Sequence, residues 1–261
     1  MNSPKISIVT ISYNRAGFLP EALESAIAQT FTDWELLIVD DGSTDNTREV
    51  AEGFIAKDER IRYYKNETNL KISRSRNRGL ELARGKYVAM LDSDDIWCDP
   101  DKLSKQYEFL ESHPDHALVG GGVIAIDADG KELKRYIDPS DDEDLRKLIL
   151  IRNPFAQSSV MFPRQAIMDL GAYDVDLSGI EDYDLWMRIG IKWKFAILNE
   201  YLLKYRVHSG NISLTDRANT MRRNILLVNK YKDNYPNYLR AILRRTVRYH
   251  GYRVVSLIKN K

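Results

Sequence analysis

The sequence predicts an α/β fold: a mostly parallel central sheet flanked by helices, with a basic helical extension at the C-terminus. Three observations predict it. β-rich runs alternate with stretches of helical period through residues 1–100. Two of those runs end in clusters of aspartate. The chain's 261 residues, 43% hydrophobic and 30% charged, are enough to bury one large core, and the composition is neither low-complexity nor disordered.

The β-rich runs are Ile6–Ile11 (ISIVTI), Trp34–Val39 (WELLIV), Ile61–Tyr64 (IRYY) and Tyr87–Leu91 (YVAML). Between them, Leu19–Gln29, Asp45–Ala56 and Ser73–Ala83 carry apolar residues three or four apart, the period of an amphipathic helix. This alternation reads as βαβ units. A helix is expected from Asp101 to about Glu111, then an apolar strand over Ala117–Ile126 and a surface loop or hairpin over Asp127–Asp144. GIEDYDLWMRI (Gly179–Ile189) opens a further amphipathic helix, and WKFAILNEYLLKYRVHSGNIS reads as a strand pair ending at His208. The last 45 residues read as helical and basic, broken by Pro236, and no internal repeat is present.

The formal charge of +1 conceals an asymmetry: from Arg217 to Lys261 there are twelve Lys or Arg against one acid, Asp233, which leaves −10 for residues 1–216. Such a tail is suited to orienting an acidic body against an anionic surface. The single Cys98 excludes an intramolecular disulfide, and no Cys/His cluster has zinc spacing. The N-terminus lacks a signal-peptide apolar region, and no window reaches the roughly 18 to 20 apolar residues of a membrane span. The expected location is cytoplasmic, with peripheral contact at the inner face of the membrane through the basic tail.

In parallel sheets ligands bind beyond the carboxyl ends of the strands. Asp40 and Asp41 end the second run, and Asp92, Asp94 and Asp95 end the fourth, so both clusters are expected to face one crevice. Asp, Gly and Ser are also ordinary turn residues, and Ser43 or Thr44 can cap the next helix. Adjacent carboxylates repel and raise one another's pKa unless a cation or hydrogen-bond donor compensates. Oxygen ligands without cysteine favour Mg²⁺ or Mn²⁺, which usually share their sphere with phosphate oxygens. A nucleotide diphosphate or triphosphate is the implied companion. Neither GxxxxGK[ST] nor GxGxxG is present, which leaves a P-loop enzyme and a dinucleotide fold unsupported.

Four segments together resemble the successive motifs of the family 2 glycosyltransferases of GT-A (Rossmann-like) fold. They are ISIVTISYNRAGFLPEALESAIAQTFTDWELLIVDDGSTDNT, NLKISRSRNRGLELARGKYVAMLDSDD, GAYDVDLSGIEDYDLW and YRVHSGNIS, spanning roughly Lys5 to Ser213 in the family's order. The resemblance implies a catalytic domain over residues 1–213, with a nucleotide-sugar half (1–100) and an acceptor half (101–213), followed by a basic extension (214–261). It implies Tyr13 as the residue stacking on the base, Asp41 as the acid bonding a uracil ring and Asp40 as its neighbour near the nucleoside. Of the pattern Asn-x-Gly-x-Ser-x-Ala-Arg-Asn the chain keeps Asn69, Ser73, Arg76 and Asn77, with Lys71 in place of the glycine and Ser75 in place of the alanine. Arg76 is then a donor-binding residue. Asp92, Ser93 and Asp94 match the DxD motif, with Asp92 and Ser93 toward the nucleotide sugar and Asp94 the metal ligand. His208 matches the C-terminal histidine that reaches the metal or the diphosphate. Asp182 matches the catalytic base.

The implied activity is inverting transfer of a sugar from a nucleotide diphosphate sugar, UDP favoured, to a hydroxyl of a saccharide or lipid-linked acceptor. The implied cofactor is Mn²⁺ or Mg²⁺, and the implied setting is cell-surface polysaccharide or glycoconjugate synthesis; nucleic acid is not among the partners. Glu181 and Trp186 are expected at the acceptor side, together with the loop Asp127–Asp144 and the stretch Asn153–Pro163. Two other functions compete: a nucleotide- or carbohydrate-binding module without chemistry, and a metal-dependent nucleotidyltransferase. The latter normally wants a basic, glycine-rich loop near the first strand, where SYNRAGF offers only Arg15 and Gly17.

Overall fold

A run of seven residues buried on both faces, Ile6–Ser12, forms β1, the hub of a nine-stranded sheet. Such two-sided burial is what a parallel strand covered by helices requires. A computed structural model describes residues 3–211 and 217–259. The expected boundary between residues 213 and 214, and the end of YRVHSGNIS, lie outside the described residues. On one side of β1 lie β2 (Trp34–Asp40) and β3 (Ile61–Lys65), and on the other β4 (Tyr87–Met90), all parallel. The helices α1 (Leu19–Ile27), α2 (Thr47–Ile55) and α3 (Ile72–Leu82) make the crossovers, as the alternating periods require.

Beyond β4 the sheet becomes mixed. The short β5 (Ile96–Trp97) and helix α4 (Lys102–Ser112) lead into β6 (His116–Ile126), which forms a hairpin with β7 (Glu132–Tyr136). The helix α5 (Asp142–Ile149) follows, then β8 (Met161–Pro163), which runs antiparallel between β4 and β6. The short α6 (Arg164–Asp169) and α7 (Glu181–Lys192) precede β9 (Lys194–Arg206), which pairs parallel with β6 and antiparallel with β5. The segment expected as a strand pair is therefore one long strand. Its pairing skips between Leu198 and Tyr201, opposite Gly121 and Gly122. A Cβ on Gly121 would lie 2.3 Å from Leu202 Cδ1, so the bare backbone there lets β9 bend across β6 without turning back.

Among the described residues two helices follow β9, α8 (Arg217–Lys230) and α9 (Tyr238–Lys259). They are not a separate appendage: Leu227, Val228, Tyr231, Tyr235 and Ala241 are buried in the same core cluster as Leu185, Trp186 and Phe195. Buried Asp184 of α7 accepts from Lys230 Nζ at 2.9 Å and Tyr231 OH at 2.8 Å, tying α8 to the helix that carries Asp182. Among the described residues no helix is long and apolar enough to cross a membrane.

Candidate active site

Because β1 lies between β2 and β4, the chain reverses its direction of winding there, and a crevice opens beyond the carboxyl ends of the three strands. Ser12 pairs with Asp40, and Val9 with Met90, so Tyr13, Asp41 and the LDSDD turn emerge side by side. Tyr13 is 44% exposed and presents an open ring face at the rim.

The two acids ending β2 serve the loops around them. Asp40 is fully buried; its Oδ1 accepts from Ser43 N–H at 2.7 Å and its Oδ2 from Tyr63 OH. With both oxygens engaged inside, Asp40 fixes the DDGS turn and does not reach the nucleoside position expected of it. Asp41 accepts from Asn66 Nδ2 at 2.8 Å, Leu70 N–H at 2.7 Å and Lys71 N–H at 3.0 Å. Lys71 takes φ of +74°, so the backbone keeps the left-handed geometry of the missing glycine, and Asp41 is what holds it.

In LDSDD the residues alternate: Asp92 and Asp94 are partly exposed to the crevice, while Ser93 and Asp95 are buried. Ser93, expected to face the nucleotide sugar, is buried within the turn that Asp95 N–H closes on Asp92 O at 3.1 Å. Asp95 accepts from Ser158 Oγ at 2.5 Å and Arg206 N–H at 2.8 Å, and burial followed by the charges of Asp94 and Asp92 pushes its carboxyl well above the usual range. Ser158 Oγ also accepts from Asp92 N–H at 3.0 Å. Buried Arg206 donates to Asp94 O at 3.0 Å and to Glu21 Oε2 at 2.9 Å. The guanidinium of Arg206 is thus matched by Glu21, and what it gives the acid run is hydrogen bonding to the backbone of the turn.

Arg76, by contrast, pairs with the acids directly. Its guanidinium is buried between Glu181 Oε1 and both oxygens of Asp92, the latter each 3.0 Å away. The two carboxylates outweigh burial and hold the guanidinium firmly charged, above its ordinary range. Arg76 therefore links the DxD turn to α7 and is not open to a donor. Glu181 is spent in the same pair and on Gly179 N–H, so it does not face an acceptor. Trp186 is 0% exposed, with ring centroids 6.2 Å from both Phe155 and Phe162. It belongs to the core, because α7 presents its apolar stripe to β6 and β8 and only its N-terminus to the crevice.

The carboxylate free to act on a substrate at that N-terminus is Asp182. It is partly exposed, accepts from Tyr183 N–H at 2.7 Å and meets Asn153 Nδ2 at 3.3 Å. Burial, then the neighbouring Glu181 charge, pushes its carboxyl up to about 7, against the lowering pull of Arg76. A carboxylate poised there suits a general base at neutral pH.

Asp94 and His208 come together as the sequence suggests, with His208 Nε2 at 3.0 Å from Asp94 Oδ2. Gly210 N–H lies 3.1 Å from Nδ1, which makes Nδ1 the acceptor and, in the neutral ring, Nε2 the donor to Asp94. Arg15 Nε stands 3.5 Å from the same Asp94 oxygen, held by Gly210 O at 2.7 Å. From sequence Arg15 reads only as part of a poor phosphate loop; a cation just past the first strand, at the point where the winding reverses, is the signal that could have found it. Among the described residues no three His, Cys, Asp or Glu side chains cluster as a complete metal cage.

Residues 7–173 match the family model described as Glycosyl transferase family 2. The amylovoran biosynthesis glycosyltransferase AmsE of Erwinia amylovora is 34% identical over 197 residues, covering 75% of this chain and 73% of AmsE. The structure of S. aureus TarS 1–349 in complex with UDP-GlcNAc superposes with a TM-score of 0.71 at 20% identity, over 92% of this chain and 72% of TarS 1–349. The mannosyltransferase PcManGT of Pyrobaculum calidifontis, solved with GDP-Man and Mn²⁺, gives 0.71 at 18% identity, over 96% of this chain and 71% of PcManGT.

Proposed function

The chain belongs to glycosyl transferase family 2, with the GT-A fold, and from that premise we propose that it is an inverting transferase. In this reading it moves a sugar from a nucleotide diphosphate sugar to an acceptor hydroxyl, in polysaccharide or glycoconjugate synthesis. The observation that carries the reading is the disposition of two partly exposed carboxylates: Asp94 beside Arg15 and His208, and Asp182 at the N-terminus of α7, joined through Asp92, Arg76 and Glu181. In this reading the first faces the departing diphosphate and the second the incoming hydroxyl.

Tyr13 offers its exposed face to the base. UDP is the favoured carrier because Asp41 matches the acid that bonds a uracil ring and TarS carries UDP-GlcNAc; at 3% exposure, with both oxygens held by Asn66, Leu70 and Lys71, Asp41 reaches a base only if that loop yields. Asp94 fits a hard cation that takes its remaining ligands from phosphate and water, and PcManGT holds Mn²⁺. His208 joins Asp94 as a ligand only when the ring proton moves to Nδ1 and the Gly210 bond gives way. When bound, Mg²⁺ or Mn²⁺ would supply Lewis-acid neutralisation of the departing diphosphate. Arg15 adds a fixed positive charge at the same place.

Asp182, ionised, accepts the proton of the acceptor hydroxyl while that oxygen attacks the anomeric carbon opposite the diphosphate. One C–O bond forms as the other breaks, the configuration inverts, and the proton leaves from Asp182 to solvent. Asn153 orients the carboxylate. Peripheral membrane contact is supported by α9, where exposed Leu239, Leu243 and Val247 recur every four residues beside Arg240, Arg244 and Arg248.

The test is incubation with a panel of UDP-, dTDP- and GDP-sugars and candidate acceptors, measuring released nucleotide diphosphate and the anomeric configuration of the product by NMR. Acceptor-dependent release with inversion is expected. A retained configuration would exclude Asp182 acting as described, and release of pyrophosphate from a nucleoside triphosphate and a sugar phosphate would favour nucleotidyl transfer.

A further inference from the structure

Behind Asp182 lies an open cavity of about 250 Å³, lined by Asn153, Thr220 and Asn224 and by four arginines, Arg152, Arg244, Arg245 and Arg248. Its composition does not match a neutral sugar alone. Arg152 is neutralised by Asp138, with Nη1 at 2.6 Å from Oδ2. Arg245 donates from Nε to Leu150 O at 3.0 Å and from Nη2 to Tyr183 OH at 2.5 Å, neither of them charged acceptors at neutral pH. Arg244 and Arg248, one turn apart on α9, have no carboxylate partner among the described residues. Burial, and then the charges of Arg248 and Arg244, lower Arg245 from its ordinary range against the opposing pull of Tyr183. Asn224 Oδ1 is buried at the same wall with no hydrogen-bond partner.

Three arginines around one lone carboxylate leave the cavity with a surplus of positive charge, and guanidinium forks match phosphate oxygens in pairs. The volume is below the roughly 300 to 1,000 Å³ of pockets for drug-sized ligands, so it suits a compact group of about one sugar ring or one phosphate. We propose that the acceptor carries a phosphate ester close to the hydroxyl it offers, and that Arg244, Arg245 and Arg248 bind this phosphate while Asp182 faces the hydroxyl. The proposal rests on the reading of Asp182 as the base and names the acceptor class for that same site. The unpaired Asn224 Oδ1 and Thr220 are the polar groups left for the linking sugar or polyol.

The experiment reads binding without donor or turnover. The full chain is titrated by calorimetry, with EDTA present, against glycerol 3-phosphate, a short-chain prenyl diphosphate, and glycerol as the neutral control. Binding of at least one phosphorylated probe is expected, weakened tenfold or more in Arg244→Ala/Arg248→Ala. Both side chains are exposed, so the fold tolerates their loss, which a melting curve checks. Arg240→Ala, an equal change of charge on the same helix away from the cavity, should shift affinity by less than twofold. Whichever phosphorylated probe binds tenfold tighter identifies a lipid-linked or a soluble source. The proposal is overturned if neither phosphorylated probe binds better than glycerol, or if the double variant binds within twofold of the wild type. A chain that transfers no sugar from any donor defeats the function proposed above, whereas this titration is decided separately.

Discussion

Replacing Asp182 with Asn keeps the size of the side chain and its hydrogen bond from Tyr183 N–H while removing its charge and its basicity. Two consequences of opposite sign follow. As the base that takes the acceptor proton, Asp182 contributes roughly a hundredfold or more to transfer. As a carboxylate whose pKa rises from 3.8 to about 7 on folding, it opposes the native state wherever it is ionised. A rise of that size corresponds to a ceiling of roughly 4 kcal/mol, which residual exposure reduces to on the order of 2 kcal/mol. The unfolded carboxyl ionises near pH 4 and the folded one near 7, so the cost is absent below about 4, grows between those values and is complete above about 7. Asp182→Asn should therefore be more stable than the wild type at pH 8, by about 2 kcal/mol, and equal to it near pH 4. In the wild type, acceptor-dependent kcat/KM should rise tenfold per unit of pH below about 7 and level off above it, and the variant should lose that limb. The assays are urea denaturation at several pH values and initial rates of nucleotide diphosphate release. A variant that keeps full transfer activity, or one less stable than the wild type at pH 8, would refute the reasoning.

Three further outcomes are expected. Asp94→Ala should remove the cation dependence of UDP binding, weakening calorimetric affinity in Mn²⁺ by tenfold or more, about 1.4 kcal/mol; His208→Ala should cost less, because its ring is held as a donor by Gly210. Arg76→Met, which leaves buried Glu181 and partly exposed Asp92 without their cation, should destabilise the protein by roughly 3 to 5 kcal/mol in thermal or urea unfolding, and a loss under about 1 kcal/mol would mean the pairs matter little. Gly85→Ala places a Cβ 2.5 Å from Ser7 N on the rigid hub strand, so about 1 to 3 kcal/mol of stability should be lost by the same measurement.

Much is readable from local pattern because the features are local. Alternating periods give β1 to β4 and their helices, and strand ends bearing acid give the crevice, since both depend only on residues a few positions apart. Asp182, Asp94 and His208 are singled out by the motifs they sit in, and the fold brings the last two to 3.0 Å from 114 residues apart. The motifs do not say which acids face inward. Asp40, Glu181 and Arg76 look as reactive in sequence as Asp94 and Asp182, yet they are consumed by Tyr63, Gly179 and one another. Trp186 is an acceptor-side candidate in sequence although an aromatic on an amphipathic helix is more often core, and the rotation of α7 puts it in the core at 0% exposure.

By itself the sequence determined the class of fold, the end of the sheet at which the acids gather and the residue types brought there, because hydrophobic period and strand order follow from short-range composition. Only the tertiary structure decided which charges cancel. Arg76 pairs with Asp92 and Glu181 and Arg15 stands 3.5 Å from Asp94, while Arg206 is itself paired with Glu21 and gives the acid run hydrogen bonds only, which leaves Asp94 and Asp182 partly open. Likewise, the basic tail became three arginines over the cavity at Asp182 only once α8 and α9 packed back onto α7. Pairing depends on distance through space, and a linear order of residues does not contain it.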